Sequence, residues 1–327
     1  MILVVCLNPA LDITHEVAAA DWAGVNRPDA VHARPGGKGL NVARVLLATG
    51  TPARVLGLAG GPTGSGVMSG LSDAGVMAEF TEIKGETRRT FTVVDRSRET
   101  SALFNEPGPR VTPEEFAAFA ARYERALDGA AAVVLSGSLP QGLPAGTYAA
   151  LAATAAAAGV PVVLDTHGEA LRLGAAAGPA IVKPNLAELE ALAGRRLSRD
   201  QVAAAAGDLR AAGAQAVVVS LGPDGLHAVT ADGCWRATPP AAVTGNATGA
   251  GDAVTAALVR GLVLRQPWPD RLRHAVALGT ATAAAPVAGE FSPEDYARTL
   301  DAVTVSRPVG FSPNSRNAAP EQCGDPG

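Results

Sequence analysis

The sequence predicts an α/β fold: a mostly parallel, doubly wound sheet covered by helices on both faces, with a small β-sheet lid. Three observations predict it. Apolar runs such as Ile2–Leu7, Ala53–Ala59 and Ala131–Leu135 are continuous rather than alternating, as expected of strands buried on both faces. From Thr112 onward such runs alternate with helical patterns, which argues for parallel strands joined by crossover helices. Between about 78 and 106 the texture changes to short, β-rich, polar-alternating pieces joined by turns.

The chain has 327 residues, enough for a sizeable core. Residues 1–305 read as one domain, with the lid drawn from about 13–34 and 78–106. Residues 306–327 are rich in Pro, Asn and Gly and lack an apolar period, so a disordered tail is expected. A net charge of −4 gives no footprint for a nucleic-acid partner. Cys6, Cys234 and Cys323 lie far apart and form neither a disulfide framework nor a metal cluster, as suits a reducing cytoplasm. No apolar stretch approaches the roughly 20 residues of a membrane span. The opening MILVVCLNPALD reads as a first strand rather than a leader.

Taken in order, Ile2–Leu7 delivers Asn8-Pro9-Ala10-Leu11-Asp12 to a strand's carboxyl end, where α/β sheets bind ligands. Asp12 can accept hydrogen bonds from sugar hydroxyls, or simply serve a turn. Thr14–Ala33 has no helical period and reads as lid or edge strands carrying Arg27. Pro35-Gly36-Gly37-Lys38-Gly39-Leu40-Asn41 opens a helix reaching about Ala48. No Ser or Thr follows the lysine, so this is not a Walker A loop. Ala53–Ala59 is a strand, and Gly60–Ala74 a loop and helix. Ala78–Ile83, Arg89–Asp95 and Thr100–Phe104 read as a small antiparallel sheet, with Arg88 and Arg89 able to clamp a phosphate or to sit in solvent.

Pro113–Leu127 is a helix with a Thr112 cap. Strand Ala131–Leu135 leads to Ser136-Gly137-Ser138, helix Ala145–Ala158 to strand Val160–Asp165, and strand Ala180–Val182 to Lys183-Pro184-Asn185-Leu186-Ala187-Glu188. Asn185 and Glu188 share a helical face and could reach a magnesium-bound water, or form an N-terminal cap. Helix Ser198–Ala211 and strand Ala216–Ser220 precede a turn with Gly222 and Gly225, then a hairpin of Leu226–Val229 and Cys234–Ala237. The histidines show no metal spacing.

The chain is organised around Gly245–Ala257, GNATGAGDAVTAA. Glycines here let a backbone approach an anion closely and then open a helix whose first N–H groups have no internal partner. Asp252 sits in that first turn, placed to activate a hydroxyl beside a phosphoryl group. An N-capped helix after a tight turn is the plain alternative. Helices Gly249–Leu264 and Trp268–Ala285 complete the core.

Two separated motifs carry a resemblance over about Ile2–Leu300. GGKGLNVARVLLATG followed by GLAGG, and NATGAGDAV, resemble the two signatures of the ribokinase or PfkB family of carbohydrate kinases. LNPALD, ETRRT, FNEPGP, SGSLP, KPNLAELE and SLGPDG fall in the family's order. Among its members, the chain is more similar to the sugar-phosphate branch of 1-phosphofructokinases and tagatose-6-phosphate kinases than to ribokinase.

The resemblance implies a ribokinase-like αβα sandwich with a β lid, transferring the γ-phosphoryl group of ATP to a sugar phosphate. It implies Asp252 as general base and the backbone of Gly249, Ala250 and Gly251 as anion hole. Asp12, Gly36, Gly37, Lys38, Asn41 and Ser138 would hold the acceptor, with Arg88 and Arg27 on its phosphate. Lys183, Asn185, Ser220, Gly222, Gly225 and Thr248 would serve ATP, and Glu188 with Asn185 its Mg2+. A cytoplasmic enzyme paired as a homodimer through the lid is expected. Fructose 1-phosphate is the leading acceptor. Fructose 6-phosphate, tagatose 6-phosphate or a cyclitol phosphate is the alternative, and a non-catalytic sugar- or nucleotide-binding regulator a third. The chain departs from the pattern at Asn246-Ala247, where many relatives have Asp-Thr, and at Ala253-Val254, where the branch often has Ser and Met. Val25 stands near a position where some relatives carry a basic residue.

Overall fold

β1 (Ile2–Cys6) is buried along its whole length, and its side chains feed two separate cores. Ile2, Val4 and Cys6 join one apolar cluster, and Leu3, Val5 and Leu7 join the other. Successive side chains of a strand point to opposite faces, so a continuous apolar run requires cover on both. The computed structural model describes residues 1–98, 100–240, 248–285, 287 and 289–307. Gly245, Asn246 and Ala247 of the stretch GNATGAGDAVTAA and residues 308–327 of the expected tail lie outside them.

β2 (Ala10–Val17) and β3 (Ala30–Gly36) lead into α1 (Lys38–Ala48). β4 (Ala53–Ala59), α2 (Gly61–Asp73), β5 (Met77–Glu82), β6 (Arg88–Asp95) and β7 (Thr100–Asn105) follow. Next come α3 (Pro113–Ala126), β8 (Ala132–Ser136), α4 (Thr147–Ala157), β9 (Val162–Asp165), α5 (Gly168–Ala176) and β10 (Ile181–Val182). α6 (Leu186–Ala193), α7 (Arg199–Ala212), β11 (Val217–Ser220), β12 (Leu226–Thr230) and β13 (Gly233–Thr238) continue the chain. α8 (Ala250–Val263), α9 (Trp268–Ala284), α10 (Pro293–Ala302) and β14 (Thr304–Ser306) close it.

The large sheet has ten strands in the order β14-β13-β12-β11-β10-β9-β8-β1-β4-β5. From β11 to β5 every pairing is parallel, while β12, β13 and β14 add antiparallel strands at one edge. Side chains of α1, α8 and α9 pack on one face, and those of α3, α4, α5 and α7 on the other. The mixed α/β architecture with helices on both faces is the expected one.

β3-β2-β6-β7 form a second, four-stranded sheet. Three expectations are corrected here. Residues 77–82 do not belong to this small sheet: β5 pairs parallel to β4 at the edge of the large one. An edge strand packed mainly on one side alternates apolar with polar, so it reads like lid. The small sheet is also mixed rather than antiparallel, because β2 pairs parallel to β6. Finally, Ser306 is not tail: β14 pairs with β13, and the Arg307 guanidinium lies over the Trp235 ring at 4.2 Å. α5 and α10 were not expected. α10 starts at a Ser292 cap followed by Pro293, a signal present in the sequence.

Candidate active site

β1 is the strand from which neighbours are added to both sides, β4 on one and β8 on the other. In open α/β sheets the crevice at such a reversal, outside the carboxyl ends of the strands, is where ligands bind. Those ends here supply Asn8 after β1, Ser138 after β8, Asp165 closing β9 and Lys183 after β10. α1 and α8 point their N-termini into the same region.

Gly249 is the N-cap of α8 with φ 85°, a conformation an L side chain adopts only with strain, and no side chain caps this helix. Asp252 follows in its first turn and is 6% exposed. Asn41 of α1 donates Nδ2 to Asp252 Oδ2 at 2.8 Å. Burial, with the neighbouring Asp165 carboxylate, pushes Asp252 up to about 7, against the pull of Asn41, Lys38 and Lys183.

Asp165 is the centre of the charge network and is fully buried. Lys38 Nζ lies 3.0 Å from its Oδ1 and Lys183 Nζ 3.3 Å from its Oδ2. Thr255 Oγ1 donates to the same Oδ2 at 2.8 Å. Burial opposes ionisation, yet Lys183 and Lys38 outweigh it and hold the Asp165 carboxyl below its ordinary value. Burial likewise works against the Lys38 ammonium, but Asp165, Glu188 and Asp252 keep its pKa above the ordinary one.

Glu188 Oε1 lies 3.4 Å from Lys38 Nζ. Its other oxygen accepts from the Asn185 N–H at 2.8 Å, and Asn185 Oδ1 accepts from the Glu188 N–H at 2.8 Å. This is a reciprocal cap on α6. No group of three or more His, Cys, Asp or Glu suited to a metal ion occurs among the described residues. Both side chains are engaged here, Asn185 and one Glu188 oxygen in the cap and the other Glu188 oxygen with Lys38.

Asp12 lies within β2, not in a turn. It accepts from Thr90 Oγ1 at 2.5 Å, and its carboxylate fills the space a Cβ at Gly36 would need. Gly37, with φ 108°, is the N-cap of α1. Asn8 donates Nδ2 to Ser138 Oγ at 3.0 Å, and Arg88 donates Nε to the Asn8 carbonyl at 3.3 Å. Arg88, Ser138, Lys38 and Asn8 border one cavity of about 360 Å³. Ser220 bridges to Asn185, with Gly222 and Gly225 in the turn that follows, and Thr248 is exposed beside Gly249. Arg27 is exposed in the loop between β2 and β3, forms no ion pair with a described residue, and does not line the cavity beside Arg88.

Sequence reasoning missed Asp165 and Thr255 as site residues, together with Arg44, whose Nη1 donates to Asn41 Oδ1 at 3.1 Å. An acid ending the buried strand VVLD was the available signal for Asp165. Nothing local marked the other two.

A carboxyl poised near pH 7 beside an uncapped helix start, with the buried Lys183 and the half-buried Lys38 nearby, can take a proton from a hydroxyl while the backbone and lysines hold phosphoryl charge. The site is that of a phosphotransferase with an alcohol acceptor. The chain belongs to the pfkB family of carbohydrate kinases, whose model matches residues 4–295. Phosphofructokinase-2 from Escherichia coli is similar in its tetrameric inhibited form, at 32% identity and TM-score 0.86 over 92% of this chain and 98% of that one. Its complex with fructose-6-phosphate matches at 30% identity and TM-score 0.83 over the same shares. A Thermotoga maritima protein described as a possible 1-phosphofructokinase is 27% identical, with TM-score 0.85 over 94% and 99%. Arabidopsis thaliana ribokinase complexed with ribose and ATP, at 20% identity and TM-score 0.72 over 91% and 98%, shares the fold. No helix among the described residues is long and apolar enough to cross a membrane.

Proposed function

We propose that this kinase transfers the γ-phosphoryl group of ATP to a hydroxyl of a hexose phosphate, with fructose 1-phosphate the leading acceptor and fructose 1,6-bisphosphate the product. The observation that carries the reading is the Asp252 carboxylate, buried at the start of α8, held by Asn41 and poised at about 7. In this reading Asp252 accepts the proton of the attacking hydroxyl, and the first N–H groups of α8 with Lys183 hold the transferring charge. Asp12 and Asn41 orient the sugar, and Arg88 binds the phosphate it already carries. Lys38, spanning Asp165 and Glu188, fixes the two acidic elements against each other. Ser220, Gly222, Gly225 and Thr248 border the nucleotide. Magnesium, held through Glu188 and Asn185, would neutralise charge on the ATP phosphates. Fructose 6-phosphate is the second reading, favoured by the complex of the Escherichia coli relative with that sugar.

The assembly in this reading is a homodimer paired through the lid. Its support is an apolar exposed set on the small sheet and its loops: Trp22, Val25, Val31, Leu103 and Phe104 are 53–81% exposed.

The test is an ADP-release assay with Mg-ATP and a panel of fructose 1-phosphate, fructose 6-phosphate, tagatose 6-phosphate, free fructose and a cyclitol phosphate. Selectivity for fructose 1-phosphate is the expected result. Turnover of free fructose alone would overturn the phosphate role of Arg88, and silence on every compound the proposal as a whole.

A further inference from the structure

The cavity of about 360 Å³ beside Arg88 has a further wall that the proposed reaction does not use. His167, at the N-terminus of α5, lines it together with Asn8, Lys38, Arg88, Ser138 and Glu106. The charges on this wall are unequally committed. Lys38 is neutralised by Asp165 and Glu188. Glu106 is turned to Arg89, accepting its N–H at 2.7 Å and lying 3.3 Å from its guanidinium. Arg88 spends only Nε, on the Asn8 carbonyl, and pairs with no carboxylate among the described residues. His167 stands at the N-cap of α5, where its carbonyl accepts from the Leu171 N–H at 3.3 Å, yet its side chain makes no hydrogen bond or ion pair to a described residue.

Asn8 borders the same cavity. It is 8% exposed, and its Oδ1 has no hydrogen-bond partner. That oxygen is packed against Gly108, and the Asn8 Nδ2 is held by Ser138. A phosphate in the cavity would meet the open donors of Arg88 and His167.

Resting on the sugar-phosphate reading, we infer that His167 is a direct ligand of the acceptor's own phosphate, opposite Arg88, and so a residue that selects phosphorylated acceptors. An imidazole always carries at least one N–H donor, and the positive end of α5 adds to the same wall. The two donors come from different parts of the fold, Arg88 from the small sheet and His167 from the start of α5. A phosphate held between them would tie the lid to the body of the enzyme.

The test is steady-state kinetics of His167→Ala and His167→Gln with fructose 1-phosphate and fructose 6-phosphate, varying acceptor and ATP separately. Titration of the same sugar phosphates without ATP gives their affinity directly. In His167→Ala the acceptor KM and dissociation constant should rise about tenfold, equivalent to about 1.4 kcal/mol. The KM for ATP should stay within twofold, and His167→Gln, which keeps a donor, should recover part of the loss. His167 is exposed, so both variants should melt as the wild type does. An unchanged acceptor KM, or a penalty falling on ATP instead, would overturn the assignment while leaving the kinase reading in place. A wild-type enzyme inactive on both sugar phosphates would overturn the reading beneath it as well.

Discussion

Asn41 donates its amide to the Asp252 carboxylate across 2.8 Å, although 211 positions separate them in the chain. Each belongs to a glycine-led helix start, and the sheet topology brings the two starts together. The amide favours the charged form of a carboxyl that burial and Asp165 push the other way. The balance leaves a base that is neither permanently ionised nor permanently neutral.

Asp252→Asn should lower kcat by about 10²- to 10⁴-fold, the usual contribution of a positioned general base. ATP affinity, measured by titration, should change little. Wild-type turnover in this variant would remove Asp252 from the role of base.

The pH–rate profile should carry an acidic limb near pH 7, because the deprotonated carboxyl is the active form and burial has raised its pKa to about 7. kcat/KM should fall about tenfold per unit below that limb. A profile flat from pH 5 to 8 would contradict it. Stability runs in the opposite sense. The unfolded carboxyl ionises near pH 4, so between about 4 and 7 the folded state holds the extra proton and this group costs stability as pH rises. Asp252→Asn should therefore melt higher than wild type, by a margin that is larger at pH 8 than at pH 5.

Asp165→Asn removes the charge that holds Lys38 and Lys183 together. Lys183 is 2% exposed, so its ammonium would be left buried without its partner. Denaturant unfolding should show a loss of about 3–5 kcal/mol, as for other broken buried pairs. A loss below 1 kcal/mol would mean the cluster is solvated in solution.

Arg44→Met keeps the stem of the side chain and removes the donor to Asn41 Oδ1. Freed to rotate, Asn41 should hold Asp252 less well, and kcat should fall about ten- to a hundred-fold from misplacement alone. Because the Asn41 hydrogen bond lowers the Asp252 pKa, the acidic limb should also move to higher pH. A fall in kcat with an unmoved limb would assign Arg44 to packing only.

Phe104→Asp places a charge in the exposed apolar set of the small sheet, 6.5 Å from the Trp22 ring measured between ring centroids. Sedimentation velocity should show the wild type as a dimer or larger and the variant shifted toward monomer. A monomeric wild type at micromolar concentration would overturn pairing through the lid.

Much of the fold was legible because its signals are local. The continuous apolar run of β1, the Thr112–Glu115 box opening α3 and the glycine-led starts of α1 and α8 all declare themselves within a few residues. β5 was misplaced because its half-covered edge position imitates a lid strand, and strand partners are not written in a strand's own residues. The cap reading of Asn185 and Glu188 and the ligand reading were both open from sequence. The structure shows the cap, with the remaining Glu188 oxygen facing Lys38.

The sequence by itself determined the α/β class, the helix starts that can receive an anion, and the family. These follow from hydrophobic period and from backbone positions that only glycine fills easily. Only the tertiary structure decided that Asp165 binds two lysines from α1 and the end of β10, that Asn41 meets Asp252, and that Arg27 stays in solvent while His167 joins Arg88 at one cavity. The physical reason is that charge–charge coupling depends on separation in space and on burial. Both are set by the order in which parallel strands are laid down beside β1.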